Sequence, residues 1–98
     1  MTIEKNLNGT ELIVKVTGRL DTTTAPELET TLKESFSGIT KLVLDFSTLK
    51  YLSSAGLRVV LQAQKIMNKQ GEMIIKNVSE AINEIFEVTG FADILTIE

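Results

Sequence analysis

The chain has 98 residues, 43% of them hydrophobic, and a formal net charge of −3. This length and composition predict a single folded domain over residues 1–98 with a sizeable core. The sequence contains no cysteine and no histidine, which excludes disulfides, zinc–thiolate sites, imidazole ligands and every mechanism that needs a histidine base. The acidic balance also disfavours nucleic acid as a partner, because like charges repel the phosphate backbone.

The N-terminus carries no recognisable targeting signal. The stretch from Met1 to Asn6 lacks a basic start followed by an apolar segment, so no signal peptide is predicted. No apolar run is long enough to span a bilayer. We therefore expect a soluble cytoplasmic protein without direct membrane insertion.

The first predicted elements form a β-hairpin. From Glu11 to Thr17 apolar and polar residues alternate, which predicts a half-buried strand. Asn8-Gly9 predicts the turn before this strand, and a short edge strand is expected around Ile3 to Asn6. The buried face of the second strand should carry Leu12, Val14 and Val16.

A helix is predicted after the hairpin. Thr24 is its expected N-cap, and Pro26 suits the first turn because a missing N–H costs nothing there. Ser37-Gly38 ends the helical pattern. The inward positions at helical spacing are Ala25, Leu28, Leu32 and Phe36.

The centre of the chain predicts a strand–helix–strand unit. The continuous apolar run from Lys41 to Phe46 is typical of a central strand covered on both faces. After a short linker, a helix is predicted from Ser54 to about Gln70, with Gly71 as its stop, and the strand Glu72 to Lys76 follows. The expected buried stripe of the helix is Gly56, Val59, Val60, Ala63 and Met67, and the opposite wet stripe is Arg58, Gln62, Lys65 and Lys69.

The remaining segment predicts a third helix, capped by Ser79 and closed by Thr89-Gly90, and a final strand from Ile94 to Ile97. The inward side chains of this helix should be Ala81, Ile82, Ile85 and Phe86. Together the elements predict a small α/β domain with a mixed β-sheet of about four to five strands packed with helices. The two strands of the central unit should be parallel, joined by a right-handed crossover.

Two serines at the start of the central helix are the chemically informative residues. Capping explains one hydroxyl there but not both Ser53 and Ser54. A nucleophile elbow would need glycine two positions before the serine and a histidine base, whereas position 52 is leucine and histidine is absent. No glycine-rich phosphate loop is present either. Of the roles considered for the second serine, phosphorylation remains. It would add a charge of about −1.5 to −2 at a helix N-terminus, where the helix dipole favours negative charge.

These residues carry a family resemblance. The run from Asp45 to Arg58, with LSSAGL at Leu52 to Leu57, resembles the signature of the anti-sigma factor antagonists of the STAS domain family. The turn from Gly18 to Asp21 resembles the Gly-x-Leu-Asp landmark of that family, and the segment from Gly90 to Leu95 resembles its closing segment. The resemblance covers essentially the whole chain and implies the STAS fold.

The resemblance assigns Ser54 as the phosphorylated serine. In the family an aspartate commonly precedes this serine and a second serine follows it. Here Ser53 replaces the aspartate and Ala55 replaces the second serine, so the acceptor hydroxyl is kept and a neighbouring carboxylate is lost. Ser53 is therefore the rival phosphorylation site.

The resemblance also implies a partner-binding surface that joins two turns. On the residues alone, Asp21 is a turn residue whose carboxylate bonds nearby backbone N–H groups. In the family, this turn lies beside the phosphoserine helix. Arg58, one helical turn after Ser54, lies within reach of a phosphate. The implied partner-binding set is Asp21, Thr22, Thr23, Ser53, Ser54, Ala55, Gly56 and Arg58.

The function implied is regulatory binding without catalysis, metal or cofactor. The unphosphorylated protein would bind an anti-sigma factor with serine kinase activity and release a sigma factor, and phosphorylation at Ser54 would weaken that binding until a serine phosphatase reset it. The alternative is a cytoplasmic STAS subunit of a lipid-transporting ABC system, in which the same surface binds the ATPase. A hydrolase using Ser54 is nearly excluded by the absent histidine.

Overall fold

The alternating and continuous apolar runs become the strands of one mixed β-sheet. The computed structural model describes residues 1–98. The sheet has five strands, and three α-helices and one 3₁₀ turn complete the chain. In chain order the elements are β1 Thr2–Asn8, β2 Glu11–Leu20, α1 Ala25–Ser35, β3 Lys41–Asp45, β4 Leu49–Leu52, α2 Ser54–Met67, β5 Glu72–Lys76, α3 Glu80–Val88 and the 3₁₀ turn Phe91–Asp93.

The strand order is β1-β2-β3-β5, with β4 beside the end of β2. Strand β1 is antiparallel to β2, and every other pairing is parallel. The predicted parallel relation of β3 and β5 is confirmed, with Lys41 opposite Glu72. Strand β3 lies between β2 and β5, which is why Leu42, Val43 and Leu44 are all buried.

The core lies between the sheet and the inner faces of the helices. Leu12, Val14 and Val16 of β2 are buried, as the alternation predicted. The predicted stripe of α2 is confirmed as well, since Gly56, Val59, Val60, Ala63 and Met67 are buried and the wet-stripe residues are exposed. Phe46 and Phe86 are the largest fully buried side chains. None of the three α-helices combines the length and the apolar character that crossing a bilayer would require.

Strand β4 is the element that the sequence did not predict. The segment after Asp45 was expected to be a linker, but Leu49–Leu52 pairs in parallel with Gly18, Arg19 and Leu20, with a shift in register between Gly18 and Arg19. Four residues are too few for alternation to emerge from a sequence pattern. The Gly18-to-Asp21 landmark is therefore the end of β2 followed by a turn, rather than a turn throughout.

Several predicted boundaries differ from the structure. Helix α1 ends at Ser35 and leaves Phe36 half-buried, and α2 ends at Met67 instead of Gln70. The hairpin loop is Gly9-Thr10, one residue later than predicted, because Asn8 pairs with Glu11. Helix ends fray, and a hairpin turn can shift by one residue without changing the hydrophobic pattern. The sequence therefore determines the boundaries of an element less well than its type.

Two predictions near the C-terminus are wrong. Ala81 is exposed, although Ile82 and Phe86 of the same helix are buried. The segment from Ile94 to Ile97 does not form a strand, and only Ile97 makes an isolated parallel bridge, with Ile75. One bridge covers a single position on the open edge of β5, so this edge is only partly closed.

Candidate functional site

Two adjacent parallel strands bring the Asp21 turn and the two serines together. Leu20 at the end of β2 is paired with Leu52 at the end of β4. The backbone N–H of Ser53 donates to the carbonyl of Leu20 over 2.9 Å. Because both strands end at the same edge of the sheet, the next residues, Asp21 and Ser53, are neighbours. The Asp21 turn therefore lies beside the start of the serine helix, as the resemblance implied.

Gly56 allows helix α2 to begin this close to the sheet. A Cβ at position 56 would lie 2.8 Å from Cγ of Leu20 and 3.0 Å from its carbonyl oxygen. Gly56 is therefore buried against β2. This corrects its predicted place in the partner-binding set, since Gly56 positions the surface and is not exposed on it.

The two serines have different surroundings. Ser53 is the N-cap of α2, with extended backbone angles, and its Oγ accepts a hydrogen bond from the Gly56 N–H at 3.3 Å. Ser54 is the first residue of the helix, and its side chain is exposed. Its hydroxyl makes no hydrogen bond within the chain. One serine therefore caps the helix, and the other presents an accessible hydroxyl.

This division predicts different costs for removing the two hydroxyls. Ser53→Ala should lower the free energy of unfolding by about 1 kcal/mol, because the Gly56 N–H loses its acceptor. Ser54→Ala should change it by less than about 0.5 kcal/mol, as is usual for an exposed side chain without partners. Urea denaturation of both variants measures the difference. Equal costs for the two variants would contradict the assignment of Ser53 as the cap.

The Asp21 carboxylate is fixed within its own turn. Its Oδ1 accepts hydrogen bonds from the Thr23 hydroxyl at 2.7 Å and from the backbone N–H groups of Thr23 and Thr24 at 3.0 and 3.2 Å. The Thr23 hydroxyl is the largest influence on the pKa of Asp21, and with the two N–H donors it outweighs partial desolvation and lowers that pKa. Asp21 is therefore an oriented negative charge at neutral pH.

The prediction that Thr24 is the N-cap of α1 is confirmed in position but not in side-chain bonding. Thr24 occupies the N-cap position of α1, but its side chain makes no capping hydrogen bond. Instead its hydroxyl donates to the Arg19 carbonyl at 2.8 Å and accepts from the Asp21 N–H at 2.9 Å. The Asp21 carbonyl accepts from the Ala25 N–H at 2.8 Å. The helix start is thus held by Asp21, while Thr24 holds the turn against the end of β2.

Arg19 and Tyr51 form a further part of the site that sequence reasoning missed. The Arg19 guanidinium lies 4.3 Å from the centre of the Tyr51 ring, and its Nε lies 3.6 Å from Oδ2 of Asp21. Tyr51 remains 41% exposed. Arg19 and Tyr51 are paired across β2 and β4. Their contact could be predicted only from that strand pairing, which the sequence pattern did not reveal.

The other predicted partner-binding residues differ in exposure. Thr22 and Thr23 are exposed, Ala55 is half-buried, and Arg58 is exposed on α2. Together with Asp21 and Ser54 they form what we call the Asp21–Ser54 surface. A shallow groove between the starts of α1 and α2 crosses it, lined by Thr22, Ala25, Pro26, Glu29, Ala55, Arg58 and Val59.

A second carboxylate secures the loop that leads to β4. Oδ1 of Asp45 accepts from the Ser47 N–H at 2.9 Å and from the Asn77 side chain at 3.1 Å. Desolvation raises the pKa of Asp45, but these donors, with Lys15 nearby, outweigh it and leave the pKa lowered. Asp45 therefore ties the ends of β3 and β5 to the segment that carries β4 and the serines. No cluster of acidic side chains able to hold a metal ion occurs.

Comparison with known proteins identifies the family. The model of the STAS domain matches residues 2–98. The chain belongs to the STAS domain family. It is similar to the candidate anti-sigma factor antagonist BtrV of Bordetella bronchiseptica, with 36% identity over 88 residues, covering 88% of this chain and 76% of that protein. It is also similar to the anti-sigma-B factor antagonist of Staphylococcus aureus, with 34% identity over 86 residues, covering 86% of this chain and 80% of that protein.

Solved structures confirm the STAS fold. The unphosphorylated anti-sigma factor antagonist SpoIIAA superimposes with a TM-score of 0.85 at 17% identity, covering 99% of this chain and 88% of that one. The phosphorylated form of the Bacillus protein SpoIIAA gives a TM-score of 0.78 at 16% identity, covering 99% and 91%. The predicted small α/β domain with a mixed sheet of four to five strands is therefore confirmed.

Proposed function

We propose that this STAS domain, acting as one unit over residues 1–98, is an anti-sigma factor antagonist controlled by phosphorylation of Ser54. The unphosphorylated protein binds a cytoplasmic anti-sigma factor with serine kinase activity, and the sigma factor is released. The observation that carries the proposal is the exposed, unbonded hydroxyl of Ser54 at the start of α2, beside the Asp21 turn. The names of the relatives at 36% and 34% identity support it.

In the phosphorylation step the chain supplies only the acceptor. The Oγ of Ser54 bonds to the γ-phosphorus of ATP, the bond to the β-phosphate oxygen breaks, and the hydroxyl proton leaves to the kinase or solvent. The products are phosphoserine and ADP. A charge of about −1.5 to −2 then lies beside the fixed carboxylate of Asp21. The docking surface becomes more negative by that amount, and binding weakens.

The surroundings of the serines favour Ser54 over Ser53 as the acceptor. The Ser53 hydroxyl is engaged with the Gly56 N–H and its residue is half-buried. Moving Ser53 into a kinase active site would remove the cap of α2, whereas Ser54 can be reached without breaking a bond. A serine phosphatase would hydrolyse the phosphoserine and restore the docking form.

Labelling with the partner kinase and ATP tests this proposal. Ser54→Ala should abolish incorporation of phosphate, and Ser53→Ala should keep it, with the modified peptide mapped by mass spectrometry. Labelling that persisted in Ser54→Ala and mapped to Ser53 would overturn the site assignment. Capture of an ABC-transporter ATPase by the unmodified protein, with no labelling by any kinase, would overturn the function and favour the transport-subunit alternative.

A further inference from the structure

We propose that Arg58 binds the phosphoryl group of phosphorylated Ser54 within the same chain, and so stabilises the switched-off form. This inference rests on the proposed function only in taking Ser54 as the phosphoacceptor. It adds an arginine that binds the phosphate, on the same helix as the serine that is phosphorylated.

The helix places the two side chains together. Ser54 and Arg58 are at positions i and i+4 of α2, which runs without interruption from Ser54 to Met67. Residues four apart lie on the same helix face, with Cβ atoms about 5–6 Å apart. Both side chains are exposed, so neither is held by packing. Side chains of a helix lean toward its N-terminus, so the long Arg58 side chain can reach back over Ser54. Its planar guanidinium can then donate two parallel hydrogen bonds to a phosphate on Oγ.

Arg58 is also the arginine that is free to respond. The chain has two arginines, and Arg19 is already stacked on Tyr51 and paired with Asp21. Arg58 forms no ion pair. The one carboxylate that lines its groove is Glu29, and Oε1 of Glu29 lies 3.6 Å from Nζ of Lys33. A phosphoserine would thus be the first anionic partner offered to Arg58.

The pair has two consequences for the switch. Once Arg58 faces the phosphate, its charge is no longer available to an acidic group on a docking partner. The phosphate dianion is favoured over the monoanion, because the dianion gains more from a neighbouring cation. At neutral pH the phosphate is therefore in its dianionic form, and its second pKa should be lowered from its usual value near 6.

Phosphorus NMR on the isolated protein tests the inference without a kinase or a binding partner. Phosphoserine is installed at position 54 by genetic encoding, and the ³¹P shift is followed with pH. We expect the phosphate pKa to be higher by about 0.5 in Arg58→Gln than in the parent. Lys50→Gln and Lys65→Gln, which remove exposed cations on β4 and farther along α2, should leave it unchanged.

The outcomes separate this inference from the proposed function. An unchanged phosphate pKa in Arg58→Gln, with a native circular dichroism spectrum, would overturn the role of Arg58 even if labelling at Ser54 succeeded. An equal rise in Lys50→Gln would also overturn it, since the effect would then be general surface charge. A rise confined to Arg58→Gln would support it, whatever kinase or phosphatase acts on the protein.

Discussion

Replacement of Gly71 by alanine should lower the free energy of unfolding by about 3 kcal/mol, a large fraction of the stability of so small a domain. A Cβ at position 71 would lie 1.8 Å from the carbonyl oxygen of Thr40 and 2.6 Å from its carbonyl carbon. Both atoms belong to backbone, and the same carbonyl accepts the Glu72 N–H at 3.0 Å at the start of β5. Relief of the clash would require the entry to β5 to move away from β3. Urea denaturation gives the loss directly.

Gly38→Ala is the matched control for this prediction. Nothing lies within 4 Å of a Cβ at position 38, but its φ of +79° is left-handed. Alanine there should cost about 1–2 kcal/mol from backbone strain alone. A Gly71→Ala loss no larger than the Gly38→Ala loss would show that the approach of Gly71 to Thr40 can relax, contrary to the geometry.

Ser54→Asp should weaken binding to the anti-sigma factor by about 100-fold, which corresponds to about 2.7 kcal/mol. The substitution places a fixed negative charge on the Asp21–Ser54 surface beside the oriented carboxylate of Asp21, and a docking partner would have to desolvate both charges. Ser54→Asn, of nearly the same size and without charge, should bind within about threefold of the parent. Isothermal titration calorimetry compares the three proteins.

Ser53→Asp tests whether the position of the charge matters. Aspartate is as good an N-cap as serine, so its carboxylate can accept the Gly56 N–H and remain turned into the helix start. This variant adds the same charge one residue earlier and should retain most of the affinity. If Ser53→Asp and Ser54→Asp weakened binding equally, net charge and not the Ser54 position would govern docking.

The parts of the fold that were predicted from sequence are those with a strong hydrophobic period. The alternation of β2, the apolar run of β3 and the stripe of α2 each bury one continuous set of side chains, so their pattern survives in the structure. Strand β4 was missed because its four residues are defined by pairing with Gly18 to Leu20, which is distant in sequence. Because β4 was not predicted, the stacking of Arg19 on Tyr51 could not be predicted either.

The division of roles between the two serines could not be predicted from the sequence. The sequence placed Ser53 and Ser54 at a helix start, but only the position of that start decides which hydroxyl caps, and helix ends are fixed by local geometry. Thr24 was expected to cap α1, but its hydroxyl bonds the Arg19 carbonyl and the Asp21 N–H, and the first helical N–H, that of Ala25, donates to the Asp21 carbonyl instead. Gly71 was predicted to end a helix, and its actual constraint is the nearby backbone of Thr40.

Release of a sigma factor is the most direct test of the account. Fluorescently labelled sigma factor is bound to its anti-sigma factor, and its anisotropy is followed as this protein is added, either unmodified or fully phosphorylated at Ser54. We expect the unmodified protein to release the sigma factor and the phosphorylated protein to leave it bound over the same concentration range. Equal release by both forms, or release by neither, would contradict a switch at Ser54.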